Sequence, residues 1–327
     1  MGPIPMRRRT LLLAAVGLCA APHARAQKMR YRLAWLSLGT KEGGAEFLNG
    51  FLEGLAALDY VEGRNFVLDS RWGENSRETL DRLSLEAASL KPAVIIAHGP
   101  AVHSARKIPG TIPVVMGFSG DPVEAGIAQS YARPGGRFTG VTFLAYDLVG
   151  KRVELLHEVL PKMKRLAVLS RPEHPGDAKE LAATRAAAKA YHLDVVHHPA
   201  NNQTELERAL SSIASQRADA VVILPDALMV QERDALARFS IENRIPAISG
   251  WASIAEGGVL MTYGPNLKER FRRLGYFVDR ILRGASGSEL PIEQPTKLEL
   301  VLNLKTARML GLTVPQTVMV RADRLIQ

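Results

Sequence analysis

Arg165-Leu-Ala-Val-Leu-Ser170, in the middle of the chain, resembles an earlier stretch, Tyr31-Arg-Leu-Ala-Trp-Leu-Ser37. Both are short apolar runs of a length that suits a buried strand rather than a helix. After the first, Phe47, Phe51, Leu52, Leu55 and Leu58 recur at helical spacing, followed by a strand over Asn65–Trp72 and a helix over Arg77–Leu90. Strands Ala93–Ala97 and Ile112–Met116 complete that half. After the second run come a helix over Asp177–Tyr191, a strand Asp194–His198, a helix Glu205–Gln216, a strand Ala220–Leu224, a helix Gln231–Asn243 and a strand Ile245–Ser249. Each half therefore reads as a β-α-β-α-β unit closing on an Ile-Pro strand, Ile112-Pro113 and Ile245-Pro246. Short apolar runs separated by helices imply parallel sheets covered on both faces. The predicted fold is α/β, with two doubly wound, Rossmann-like lobes and a ligand cleft between them. One sheet of ten or more strands is the competing reading, and open sheets of that width are uncommon.

The two units are joined by a predicted helix over Asp147–Leu160, with Asp147 as its cap and Pro161 as its stop. Beyond Ser249 the pattern changes. A strand Val259–Tyr263, a helix Leu267–Arg283, a loop rich in Gly, Ser and Pro over Gly284–Pro295, a strand Lys297–Leu302 and a short helix Lys305–Leu310 stopped by Gly311 make a tail suited to crossing between lobes. The expected division is residues 27–145 plus about 265–303 for the first lobe, and residues 146–264 plus about 304–327 for the second.

The first 26 residues read as an export signal. Arg7, Arg8 and Arg9 precede a short apolar run, Leu11–Ala21, and Ala24-Arg25-Ala26 offers a cleavage site that leaves Gln27 first. Arg8-Arg9 fits the twin-arginine route as well as the general one, and an anchoring helix is the alternative. Cys19 follows Leu18 where a lipid-attachment signal wants a smaller residue. Removing the segment takes away four arginines and no acids, so the net charge falls from +9 to +5. Cys19 is also the only cysteine. The mature chain then has no disulfide, thiol nucleophile or cysteine metal site, and no basic block that implies nucleic acid. A periplasmic monomer is expected.

Motifs for catalysis are absent. Gly39, Gly43 and Gly44 lack dinucleotide-binding spacing, and Gly117-Phe-Ser-Gly120 is too short for a nucleophile elbow. His157-Glu158 has Pro161 where a metalloprotease needs histidine. His197 and His198 face opposite sides of a strand, and nothing beside His98 and His103 completes a metal site. No cofactor, metal or enzymatic activity is expected. What remains are polar loops at the C-terminal ends of parallel strands, where open α/β sheets bind ligands. These are Ser37, Gly39 and Thr40 after the first strand, His98, Gly99 and Pro100 after the third, and Phe118, Ser119 and Asp121 after the fourth. In the second half Arg171-Pro-Glu173-His174 and Pro225-Asp226-Ala227 hold the matching positions; Glu173 or Asp226 could take a ligand ammonium, while Trp251 and Tyr263 could form an aromatic wall. A polar residue at a strand end can also serve only as a helix cap.

Phe118-Ser-Gly-Asp121-Pro122-Val123-Glu-Ala-Gly126 and Ala132-Arg133-Pro134-Gly135-Gly136-Arg-Phe-Thr139-Gly140-Val141 resemble the signature of the solute-binding family related to tryptophan/tyrosine-binding ABC transporter proteins. So do Tyr263-Gly264-Pro265, the run Leu290–Ala307 and the closing Arg321-Ala322-Asp323. The resemblance implies a type I periplasmic-binding fold without catalysis. It implies a solute-binding protein of an importer that closes on a small molecule, an amino acid or related carboxylate with aromatic ones included. The implied partners are a membrane permease and its ATPase. A sensor module on the same scaffold is the alternative, and an exported enzyme the weaker one. Two departures bear on ligand choice: Arg171-Pro-Glu-His-Pro175 replaces the more usual Tyr/Asn-Pro form, and Trp251 stands where smaller polar residues are more usual.

Overall fold

The computed structural model describes Gly2, residues 30–143 and residues 145–327. The export signal read over residues 1–26, Cys19 included, lies outside the described residues apart from Gly2. The first lobe runs β1 (Tyr31–Ser37), α1 (Ala45–Ala56), β2 (Phe66–Trp72), α2 (Arg77–Ser89), β3 (Val94–His98), α3 (Ala101–Lys107), β4 (Val114–Phe118) and β5 (Phe138–Thr142). Its sheet has the order β2-β1-β3-β4-β5 and every pairing is parallel. Leu33 to Leu36 and Val94 to Ala97 are fully buried, as continuous apolar strands covered on both faces must be.

The second lobe follows with α4 (Val149–Val159), β6 (Arg165–Ser170), α5 (Asp177–Lys189), β7 (Asp194–Pro199), α6 (Gln203–Ser215), β8 (Ala220–Ile223), α7 (Ala227–Gln231), α8 (Arg233–Glu242), β9 (Ala247–Ser249), α9 (Ala252–Glu256) and β10 (Met261–Pro265). The chain then returns to the first lobe as α10 (Leu267–Leu282), which packs along α1 and against β4 and β5. It crosses again into β11 (Leu298–Asn303), α11 (Leu304–Met309), α12 (Gln316–Met319) and β12 (Arg324–Ile326). The second sheet is ordered β12-β11-β10-β9-β8-β6-β7, with β10 and β11 antiparallel. The two α/β lobes anticipated from the sequence are present.

Three details differ from the sequence reading. Leu298–Asn303, expected in the first lobe, pairs with β10 in the second sheet, and Leu300 and Leu302 bury in the second lobe's core. Asp147 caps nothing, because α4 begins at Val149 with Leu148 in the cap position and no side-chain bond there. The strand β5 was not anticipated. Phe138-Thr-Gly-Val-Thr142 is short, and its apolar content is diluted by a glycine and two threonines. That glycine is required: Gly140 has φ +133° and a Cβ there would lie 2.1 Å from the Met116 carbonyl oxygen.

The return of α10 rests on another pair of glycines. A Cβ on Gly54 of α1 would come within 2.1 Å of the Arg272 carbonyl oxygen, and one on Gly275 of α10 within 2.7 Å of Gly54 itself. The two backbones touch at this crossing, which draws Phe271 against Phe47 with ring centroids 4.9 Å apart.

Candidate functional site

Where the C-terminal strand ends of the two sheets face each other lies a small, nearly closed cavity of about 20 Å³. That is room for about one water, far below the ~300–1,000 Å³ of ligand pockets. The first lobe contributes Ser37, Leu38 and Gly39 after β1, His98, Gly99 and Pro100 after β3, Ser119 after β4 and Phe143 after β5, with Phe47 from α1 and Phe271 from α10. The second contributes Arg171 and His174 after β6, Asp226 and Ala227 after β8, and Trp251 after β9. Eight residues named from the sequence thus meet here: Ser37, Gly39, His98, Gly99, Pro100, Ser119, Asp226 and Trp251.

The other five lie elsewhere. Phe118 is buried in the first lobe's core, with the His103 ring edge-on to it at 5.7 Å. Tyr263 packs on the second lobe's core. The Asp121 carboxylate accepts from the Val123 and Glu124 amides, at 2.8 and 3.2 Å. Thr40 donates to Gln231 across the lobes at 3.4 Å. Glu173 sits at the rim, 3.3 Å from Arg171.

One wall is aromatic. His98 lies within 5.3 Å, ring centre to ring centre, of Trp35, Phe47 and Phe271, while Trp251 meets Phe47 and Phe143 edge-on at 6.1 and 6.0 Å. The Nε2 atom of His98 has no partner among the described residues. Burial pushes the ring's pKa down to about 4, so it is neutral at pH 7.

The opposite wall is charged and comes wholly from the second lobe. Arg171, 1% exposed, donates to Asp226 at 3.4 Å, to Glu173 at 3.3 Å and to Asn75 of the first lobe at 3.3 Å. His174 lies 3.2 Å from Asp226 through Nδ1 and 3.4 Å from Glu180 through Nε2. Glu180 in turn stands 3.8 Å from the buried Arg152. Burial works against a charged His174, but the hydrogen bonds and negative charges of Asp226 and Glu180 override it and hold its pKa up at about 10. Burial likewise opposes a charged Asp226, yet the bond from His174 and the cations beside it keep the carboxyl well below the usual carboxylate range. Its Oδ1 also accepts from the Leu228 amide at 2.8 Å, capping α7. Both oxygens of Asp226 are thus engaged within the protein.

Ser37 Oγ, Ser119 Oγ and Arg171 Nε, like His98 Nε2, are buried without a partner among the described residues. Such atoms cost about 1–3 kcal/mol each unless something bonds to them. The sequence places Leu38, Arg171, His174 and Ala227 in candidate loops without giving them a role, and it does not point to Phe47, Phe143 or Phe271 as site residues. Phe47 and Phe271 lie on helices and only the fold brings them to the strand ends. Arg171 and His174 carried a signal, since they lie in the loop that departs from the usual form. Among the described residues no cluster of His, Cys, Asp and Glu could hold a metal ion, and no helix is long and apolar enough to cross a membrane.

Residues 41–326 match the family model described as ABC transporter substrate binding protein. The chain belongs to this family of ABC transporter substrate-binding proteins. This substrate-binding protein is similar to the tyrosine-binding protein of Clostridioides difficile strain R20291, with 25% identity over 264 residues that cover 80% of this chain and 76% of that one. Among solved structures it is similar to the ABC domain from Streptococcus pneumonia in complex with L-Trp, at TM-score 0.82 and 19% identity, covering 91% of this chain and 100% of that one. A ligand-free, open substrate binding protein with adhesive properties from Clostridium difficile gives TM-score 0.62 and 22% identity over 91% of this chain and 99% of that one.

Proposed function

We infer that this substrate-binding protein works outside the cytoplasm and captures a small aromatic amino acid or related carboxylate by closure of its two lobes. It then delivers the ligand to a membrane permease driven by an ATPase. The observation that carries this is the cavity itself: Ser37, His98, Ser119 and Arg171 bring four unpartnered buried polar atoms to a space walled by Phe47, Phe143, Trp251 and Phe271. A ligand with a planar apolar body and an anionic end satisfies both halves. Closure is supported by the bonds that span the lobes, from Arg171 to Asn75, Arg77 to the Glu173 carbonyl, and Thr40 to Gln231. It is also supported by the better superposition on the relative described in complex with L-Trp than on the ligand-free, open one, TM-score 0.82 against 0.62. The cavity is lined from both lobes, so a ligand enters when they part and is held when they meet.

The test is a thermal-shift screen of the mature chain, starting at Gln27, against aromatic amino acids, aromatic acids and small aliphatic carboxylates. A ligand at a hundredfold its dissociation constant adds about 2.7 kcal/mol to stability. A rise in Tm with aromatic carboxylates, absent for aliphatic ones, is the expected outcome. A screen in which no carboxylate of either kind moves the Tm removes the proposal.

A further inference from the structure

The charged wall raises a narrower question, which rests on the reading of the cavity as a carboxylate site. Binding an amino acid needs a partner for its ammonium as well as for its carboxylate. Asp226 and Glu173 are the acids placed near the cavity. Asp226 is spent: Oδ1 takes the Leu228 amide and the Arg171 guanidinium, and Oδ2 takes His174. Glu173 is not among the residues lining the cavity and is bound to Arg171 at the rim, its side chain 31% exposed. Glu180 lies behind His174 and faces Arg152. Asp177, at the start of α5, stands near Ser170 and His197.

The nearby acids are already turned toward the protein's own groups. His174 sits between two carboxylates, 3.2 Å from one and 3.4 Å from the other, which favours its imidazolium form. The buried cations Arg171, His174 and Arg152 stand among the buried acids Asp226, Glu180 and Asp177, with Glu173 paired to Arg171 at the rim. Of the lining atoms without a hydrogen-bond partner, two are hydroxyls, one is a guanidinium nitrogen, one is the neutral His98 nitrogen and the fifth is His174 Nε2, which stands 3.4 Å from Glu180. That set includes the guanidinium donor of Arg171 and no carboxylate oxygen. An ammonium buried there would meet no free carboxylate and would be repelled by Arg171 and His174.

We propose that this protein selects aromatic carboxylates that lack an α-ammonium group, because Arg171 and His174 occupy Asp226, the one acid among the residues lining the cavity. The carboxylate lies toward Arg171, with the Ser37 and Ser119 hydroxyls as further donors, and the aromatic ring lies against Phe47, Phe271 and Trp251.

The experiment is calorimetric titration of the full mature chain with matched pairs: phenylpropionate against phenylalanine, hydroxyphenylpropionate against tyrosine, and indolepropionate against tryptophan. In at least one pair the deaminated acid is expected to bind about tenfold tighter or more. Equal or tighter binding of the amino acid in every pair that binds overturns this inference and leaves the proposed function standing. No binding in any pair overturns both. Arg171→Gln, checked for folding by circular dichroism, is expected to erase the preference for the acid. An unchanged ratio in that folded variant would also overturn the assignment, since the guanidinium would then not be what discriminates.

Discussion

His98 and His174 reach the same cavity from different lobes and are displaced in opposite directions. Burial holds His98 neutral down to about pH 4, whereas an unfolded histidine takes up its proton near 6.5. Its contribution to stability is therefore complete above 6.5 and is lost as the pH falls toward 4, because the unfolded chain binds the extra proton. For His174 burial is outweighed by Asp226 and Glu180, and the proton stays until about pH 10. Its contribution is complete below 6.5 and is lost as the pH rises through 10. Stability measured by urea unfolding is thus expected to be greatest near pH 6.5 and to decline on both sides, by on the order of a few kcal/mol per histidine. His98→Gln should flatten the acid limb and His174→Gln the alkaline limb. Limbs that keep their slopes in these variants would assign the pH dependence to other groups.

Helix α10 shows how much one crossing can decide. It lies in the first lobe although its neighbours in sequence, β10 and β11, are paired in the second. Gly54→Ala is expected to destabilise the protein by about 1–3 kcal/mol or more, since a Cβ 2.1 Å from a backbone oxygen cannot be accommodated by a rotamer change. Gly150→Ala on α4, where nothing lies within 4 Å, should be neutral or stabilising by up to ~1 kcal/mol. Equal melting temperatures for the two variants would refute the argument. The sequence carried most of the strands and helices because their apolar runs are long and regular, as in Leu33–Leu36 and Phe47–Leu55. It did not carry the partner of Leu298–Asn303, which depends on pairing with a strand on the other side of α10. The site divides in the same way. Loop residues at strand ends, such as Ser37, His98, Ser119 and Asp226, follow from topology alone. Phe271 reaches the cavity because α10 returns to α1 at the glycine contact, where it stacks on Phe47. That Asp226 is occupied could not be known without seeing His174 beside it.

Few direct bonds hold the lobes together, and each is modest. Arg77 donates to the Glu173 carbonyl at 3.4 Å, and Lys179 pairs with Glu124 across the gap. Arg77→Ala is expected to weaken ligand affinity severalfold, the worth of a hydrogen bond of about 0.5–1.5 kcal/mol, while leaving the melting point of the ligand-free protein unchanged. Calorimetry paired with thermal denaturation separates the two effects, and a fall in both would mean that Arg77 supports the fold instead. X-ray scattering of the mature chain should also show its radius of gyration decrease on addition of a ligand found by the screen. The separation of aromatic and charged walls has its own implication. Apart from Trp251, the aromatic residues Phe47, Phe143, Phe271 and His98 belong to one body, while Arg171, His174 and Asp226 sit in two short turns of the other. Taste for the shape of a compound and taste for its charge are therefore inherited on different stretches of chain. Transplanting the turns around residues 171–174 and 226 should convert a relative's preference while its ring-binding slot stays as it was.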